Sequence, residues 1–355
     1  MMHRTLILLS LGLGLTGCAS EAVRPDDPTE GLDATIGFNV REVSAMLPSR
    51  TLIESIANLQ TSCTTDEAIA LWGGVEDDSA TFQPIFTGQE LTYGSGWTYT
   101  GEPQYWLRNR RYIFRACYPA RELGDKLAIQ YGSSYRTIVL NFNAETMQSD
   151  WLLASAEVNR GQSGTTTSPV ELTMKHALSA LRFQFKYKGD EGITETGRLT
   201  ACHLTNSGNT AIGSTGHLAT TGSLTFGTDA DPHSMSWTPS FYPLETSRMY
   251  PWEYSAGLEF SASQAATAYS AGSGNFTAND GYIMILPQAT EGHLTLNATT
   301  EVAGVEANFS IPLPAANYEA GKRYTYTVQL SRTDLSLTLT VEDWNKLQSS
   351  TTVIF

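Results

Sequence analysis

Residues 323–344 read RYTYTVQLSRTDLSLTLTVEDW. Tyr324, Tyr326, Val328 and Leu330 alternate with polar residues, and after the polar break SRTD, Leu335, Leu337, Leu339 and Val341 do the same. Successive side chains of an extended chain point to opposite sides, so an apolar residue at every second position gives one core-facing and one wet face. The same period runs through TIGFNVR at Ile36, Phe38 and Val40, and through GVEANFSIPLP at Val305, Ala307, Phe309 and Ile311. GYIMILPQ, from Gly281, is apolar on both faces and reads as a central strand. Helical patterning is confined to two short segments, Leu52 to Leu59 and His176 to Leu181.

The composition extends that reading to the whole chain. Sixteen Tyr, thirteen Phe and seven Trp supply the apolar area of a folded protein. Abundant Gly, Ser and Thr with few helical stretches predict an all-β chain with many turns. At 355 residues the chain exceeds what one core usually holds. The polar stretch NRGQSGTTTSPV, residues 159–170, is the best domain boundary. Two β-sandwiches in tandem are therefore expected, over residues 35–165 and 166–355. A transmembrane barrel is the competing all-β reading, but it requires apolar bands and aromatic girdles on every strand. The helical segments and long polar loops argue against it.

The N-terminus reads MMHRTLILLSLGLGLTGCAS. Arg4 precedes an apolar run from Leu6 to Leu15, about half the roughly 20 residues that a membrane-spanning helix needs. That fits a cleavable export signal over residues 1–17. Leu15-Thr16-Gly17-Cys18 has the spacing of a bacterial lipobox, with small residues beside the scissile bond and Cys18 as the thiol that receives the lipid. Residues 18–34 are acidic, Pro-containing and without apolar periodicity, and are expected to form a flexible tether. Ala19 and Ser20, where an Asp would favour inner-membrane retention, favour sorting to the outer membrane.

Charge and chemistry narrow the function. With 22 basic and 36 acidic residues the net charge is −14. Loss of a signal containing only Arg4 makes the mature chain one unit more negative. Such a chain has no electrostatic footprint for nucleic acid and no polybasic patch for anionic lipid. Cys63, Cys117 and Cys202 lack the paired spacing of a zinc site; one disulfide among them is open, with buried free thiols favoured. His176, His203, His217, His233 and His293 show no ligand spacing. Asp26-Asp27 and Glu76-Asp77-Asp78 offer too few oxygens for a closed calcium cage. Gly161-Gln162-Ser163-Gly164 lacks the spacing of a nucleophile elbow. No metal, cofactor or catalytic set is expected, and a hydrolase is set aside. Trp97, Tyr99, Tyr105 and Trp106 could stack on sugars, but their spacing equally suits a sandwich core, which is favoured.

The stretch GSGWTYTGEPQYWLRNRRYIFRACYPA carries a W-x-Y element at Trp97 and Tyr99, then Trp106, then an aromatic strand through Tyr112 and Phe114 to Tyr118-Pro119. With Gln148-Ser149-Asp150-Trp151-Leu152-Leu153-Ala154, His176 to Phe183, Pro287-Gln288, Gly321 to Tyr326 and Trp344, it resembles the fimbrillin family. That family comprises the type V pilins of gram-negative anaerobes and their lipoprotein relatives. The matches run in order from about residue 36 to the C-terminus.

The resemblance implies two transthyretin-like sandwiches and a subunit that assembles, as homo- or hetero-polymer, with other fimbrillin subunits. It implies that an arginine-specific surface protease cleaves after Arg50, or secondarily Arg41, removing the strand that holds Ile36, Phe38 and Val40. Another subunit's C-terminal strand would then fill the groove. Here that donor would be LQSSTTVIF, through Leu347, Ser349, Thr351 and Val353 or, in the other register, Thr352 and Ile354. The lipid on Cys18 would carry the precursor through the periplasm to the outer membrane, and the product would form an extracellular fimbrium. The alternative is a permanently anchored surface lipoprotein that binds a glycan or host ligand. Asp78-Ser79-Ala80 also matches a three-residue acceptor pattern for O-glycosylation at Ser79.

Overall fold

The structure, a computed structural model of the chain, describes residues 34–41, 53, 55–65, 67–76, 82–107, 109–120, 137–160, 168–187, 196–206, 218–228, 231, 233–240, 249–254, 258–261, 267–268, 281–302, 304–330, 335–343 and 351–354. Cys18, Arg50, Ser79, Trp344, Leu347 and Ser349 lie outside these residues. The described chain is built almost wholly of strands, with one α-helix, Ile56–Thr65. Among the described residues no sheet closes into a barrel; each ends in edge strands. No described helix is long and apolar enough to cross a membrane.

The N-terminal half centres on a six-stranded antiparallel sheet in the order Trp97–Tyr99, Phe82–Tyr93, Ile69–Glu76, Arg110–Tyr118, Leu152–Arg160, Lys175–His176. Its middle strands are buried on both faces. Tyr112, Phe114 and Ala116 join one hydrophobic cluster with the strand Phe38–Arg41 and the helix. From the same strand, Cys117 joins a second, larger cluster, as does Trp72 of its neighbour. A three-stranded sheet, Met235–Ser240, Thr221–Phe226 and Ile138–Asn143, lies over that second face. It packs Phe142 on Trp151 at 5.1 Å between ring centroids, and Trp237 donates its indole N–H to the Ala177 carbonyl at 2.8 Å.

Two further sheets share the second cluster. One runs Thr267–Ala268, Ser179–Tyr187, Lys322–Leu330, Leu335–Asp343, Thr351–Ile354, with Tyr282–Ile285 also on Ser179–Tyr187. The other runs Met249–Tyr254, Thr196–Asn206, Leu294–Val302, Val305–Pro312. The alternating residues of 323–341 behave as the pattern demands: Tyr324, Tyr326, Val328, Leu337 and Leu339 are all buried.

Sheets on both sides of the 159–170 stretch recruit strands from across it. Phe38–Arg41 pairs with Val170–Thr173, Leu152 and Leu153 with His176 and Lys175, and Ile138–Asn143 with Thr221–Phe226.

Three expectations change. Residues 176–181, expected as a short helix, are extended, in Lys175–His176 and Ser179–Tyr187. There the backbone pairs antiparallel with Tyr282–Ile285 and parallel with Lys322–Leu330, and these ladders outweigh a short helical preference. The first helix begins at Ile56 rather than Leu52, because Ser55 caps it: its Oγ accepts the Asn58 N–H at 3.2 Å. Among the described residues Val305–Pro312 pairs only with Leu294–Val302, and its apolar face runs from 68% exposed at Val305 to buried at Ile311.

Arg115 is buried between the six-stranded and three-stranded sheets, its guanidinium 5.5 Å from the Phe226 ring centroid. Gly227 has φ +80°, and a Cβ there would overlap that guanidinium. Gly227→Ala is expected to lower unfolding free energy by about 3 kcal/mol in urea denaturation. Gly304→Ala, at φ +75° but with nothing within 4 Å, should lose only about 1 kcal/mol.

Candidate strand-binding groove

Ile36, Phe38 and Val40 alternate with Gly37, Asn39 and Arg41, so an extended backbone points the three apolar side chains one way. They are 0%, 5% and 3% exposed. Phe38 sits in an aromatic pocket, edge-on to Phe86, Phe114 and Tyr99 with centroids 5.4, 5.3 and 6.0 Å away. The pocket walls are themselves interlocked, Phe86 on Tyr99 at 5.1 Å and Trp106 on Tyr112 at 4.7 Å.

The backbone of this segment is held on one side. Phe38–Arg41 pairs in parallel with Val170–Thr173, and among the described residues it has no second strand partner. At its start the Val170 N–H donates to the Gly37 carbonyl, and the Ile36 N–H to the Gln104 carbonyl, each at 2.7 Å. Facing outward, Asn39 donates to both Glu171 carboxylate oxygens, at 3.1 and 3.3 Å, and Arg41 pairs with the same carboxylate. Arg41 and Glu171 are 66% and 40% exposed, so this ion pair adds less than about 1 kcal/mol. The strand is held by its three buried side chains.

The chain is pinned again a few residues later. The Ile53 N–H donates to Asp150 Oδ2 at 3.1 Å, and the other carboxylate oxygen lies 2.9 Å from His176 Nδ1. The Asp150 and His176 side chains are fully buried. Helix Ile56–Thr65 then adds Leu59 and Cys63 to the same core, and Ser62 hydrogen-bonds the Tyr118 hydroxyl at 2.8 Å. The segment 42–52, which contains Arg50, thus lies between two fixed points, Arg41 and Ile53.

Of the expected donor, residues 347–355, the described part is Thr351–Ile354, at the edge of its own sheet. It pairs antiparallel with Leu335–Asp343, Val353 opposite Leu339 and Thr351 opposite Val341.

Of the four aromatic residues weighed for sugar stacking, Trp106 and Tyr99 form groove wall, Trp97 packs on Tyr93 at 5.1 Å, and Tyr105 is 53% exposed. Cys63, Cys117 and Cys202 are free buried thiols. Burial pushes the Cys117 and Cys202 thiols far up, which removes the thiolate that a nucleophile or metal ligand needs. Among the described residues no three His, Cys, Asp or Glu side chains converge on a metal site.

Several motif residues prove to be buried polar pins. The Gln148 amide donates to the Ala144 and Met284 carbonyls at 2.6 and 3.1 Å and accepts the Met284 N–H at 2.7 Å. Gln288 clamps Ala219 in the same way, accepting its N–H at 2.6 Å and donating to its carbonyl at 2.9 Å. The Tyr318 and Tyr326 hydroxyls meet at 3.1 Å. Glu171 and the Gln104 carbonyl, which contact the 36–41 segment, carry no sequence signal of their own.

Residues 57–344 match the family model described as Fimbrillin-like. The fold is similar to that of a fimbrial protein from Bacteroides vulgatus, at 15% identity and TM-score 0.60, over 87% of this chain and 99% of that one. A fimbrial assembly protein from Parabacteroides distasonis matches at 12% identity and TM-score 0.39, over 83% and 95% of the two chains. A search of curated proteins finds no match.

Phe38→Ala is expected to cost about 3–5 kcal/mol, since the pocket around the ring is rigidly packed. Asp150→Ala removes the acceptor of the Ile53 N–H and the neighbour of His176, at about 3 kcal/mol. Arg41→Ala should change stability by less than about 1 kcal/mol. Chemical denaturation of the three variants checks the ranking.

Proposed function

The chain belongs to the fimbrillin-like family of structural, adhesive pilus-type proteins of the cell surface, and on that premise we propose that it is a fimbrial subunit assembled by protease-triggered strand exchange. The observation that carries this reading is the Ile36-Phe38-Val40 segment, buried by its side chains yet paired along one edge. Its removal would leave an apolar slot walled by Phe86, Tyr99 and Phe114, beside the open backbone edge of Val170–Thr173. Exposed apolar pockets and unpaired strand groups are costly, and an added strand satisfies both at once.

In this reading the precursor is exported through a signal at 1–17, lipidated on Cys18 and tethered to the outer membrane by residues 18–34. The chain is read as two transthyretin-like sandwiches, 35–165 and 166–355, that share strands across their boundary. An arginine-specific surface protease cuts after Arg50, with Arg41 as second choice. Arg50 falls between the pinned ends Arg41 and Ile53, so a cut there separates the plug from an N-terminus still anchored through Asp150. A C-terminal strand from another subunit, presenting Leu347, Ser349, Thr351 and Val353 or the alternate register, fills the slot.

A second reading, a permanently anchored lipoprotein that binds a glycan or host ligand, draws on a specific observation. Thr351–Ile354 is already paired within its own sheet, and donating it breaks that ladder.

Surface material should begin at Thr51 by N-terminal sequencing. Arg50→Ala should yield acylated precursor without SDS-resistant ladders; ladders that persist in this variant sink the Arg50 assignment. Cys18→Ala should lose fatty-acid label and surface delivery together.

A further inference from the structure

The three-stranded sheet of Ile138–Asn143, Thr221–Phe226 and Met235–Ser240 has an inner face of Leu140, Phe142, Leu224 and Phe226. The strand registers line up its outer side chains in rows across all three strands. Asn143, Thr221 and Ser240 form one row, and Asn141, Ser223 and Thr238 the next. Val139, Thr225 and Ser236 complete the third. None of these positions is charged, although the chain carries net charge −14. Other described sheets place charge on their outer faces: Arg111 with Glu157, Arg198 opposite Glu301, and Arg323 opposite Glu342.

The central row is chemically idle. Among the described residues the side chains of Asn141, Ser223 and Thr238 hydrogen-bond to no protein group. Over the first two rows lies a concavity of about 560 Å³, walled on one side by Thr146 and Met147. That is within the size range of ligand clefts, about 300–1,000 Å³.

We propose that this outer face binds a neutral oligosaccharide. Hydroxyl and amide groups about 4.8 Å apart across strands and about 7 Å apart along them form a lattice of donors and acceptors. Such a lattice matches the repeating hydroxyls of a sugar chain. An acidic glycan is disfavoured, because the face has no cation to offset the field of an acidic protein. A protein partner is disfavoured too, because interface cores are rich in aromatic anchors and this face has none pointing outward. Without an aromatic platform one site binds weakly. On the reading of the chain as a fibre subunit, repetition along the polymer raises weak sites to useful avidity.

The test is saturation-transfer NMR on the purified chain with maltohexaose, cellohexaose, xylohexaose and mannohexaose, and oligogalacturonate as the acidic counterpart. Transfer to at least one neutral hexasaccharide is expected, with none to oligogalacturonate. Binding should weaken at least tenfold in Asn141→Ala and in Ser223→Asp, at unchanged melting temperature. Absence of transfer to every neutral probe overturns the proposal, as does equal binding in both variants or equal binding of oligogalacturonate. Surface ladders are scored in Ser223→Asp in parallel. Intact ladders with lost sugar binding support a ligand site and leave the assembly reading untouched. Lost ladders make the face a subunit contact and overturn the glycan assignment.

Discussion

Ile69–Glu76 and Arg110–Tyr118 are buried on both faces, and the rest of the molecule is arranged around that constraint. An antiparallel sheet commonly leaves one face to water, but these strands place apolar residues on both, so two separate layers must cover them. The three-stranded sheet supplies one layer. The other is made of parts: a ten-residue helix, the short ribbon of Phe38–Arg41 with Val170–Thr173, and the segment that buries Trp106. A layer assembled from short pieces can lose one of them while the sheet beneath keeps its ladder. The exchange proposed above would require that property, and a continuous second sheet would not provide it.

Much of this architecture is legible in the sequence, for a physical reason. Period-2 alternation records which side of a strand meets the core, and it marked Ile36, Phe38 and Val40 as well as the strands of 323–341. Periodicity carries no information about partners. Nothing in IGFNVR announces parallel pairing with VELT, and nothing around Arg115 announces that its guanidinium lies over Phe226. HALSAL misleads because Ala177, Leu178, Ala180 and Leu181 are all buried; a run apolar on every side fits a buried strand as well as a helix. The uncharged sheet face was equally hidden, since its rows exist only once three distant strands are in register.

The motif residues follow a different logic. Gln148, Asp150, His176 and Gln288 are buried polar groups that join segments far apart in sequence: Gln148 to Met284, Asp150 to Ile53 and His176, Gln288 to Ala219. Each satisfies a backbone or side-chain group that would otherwise be desolvated at a cost of about 1–3 kcal/mol. A misplaced strand leaves them unsatisfied, so they penalise wrong registers more than they stabilise the right one.

The pairing of Phe38–Arg41 with Val170–Thr173 also sets an order of events in folding. Asn39 and Glu171 stand 132 residues apart, yet their strands lie side by side. A chain made from its N-terminus produces the plug long before its partner, and loop-closure entropy delays a contact of that span. Until residue 173 is available, Phe38–Arg41 lacks its ladder partner even if Phe38 has reached the pocket of Phe86 and Phe114. In the strand-exchange reading proposed above, the nascent chain would thus present an unpaired strand edge to its neighbours. A chain in that state is prone to premature capture by its neighbours. In that reading, covalent attachment of residues 36–41 until the chain is complete is the simplest protection: a tethered strand has a high effective concentration at its own slot and outcompetes strands from other chains.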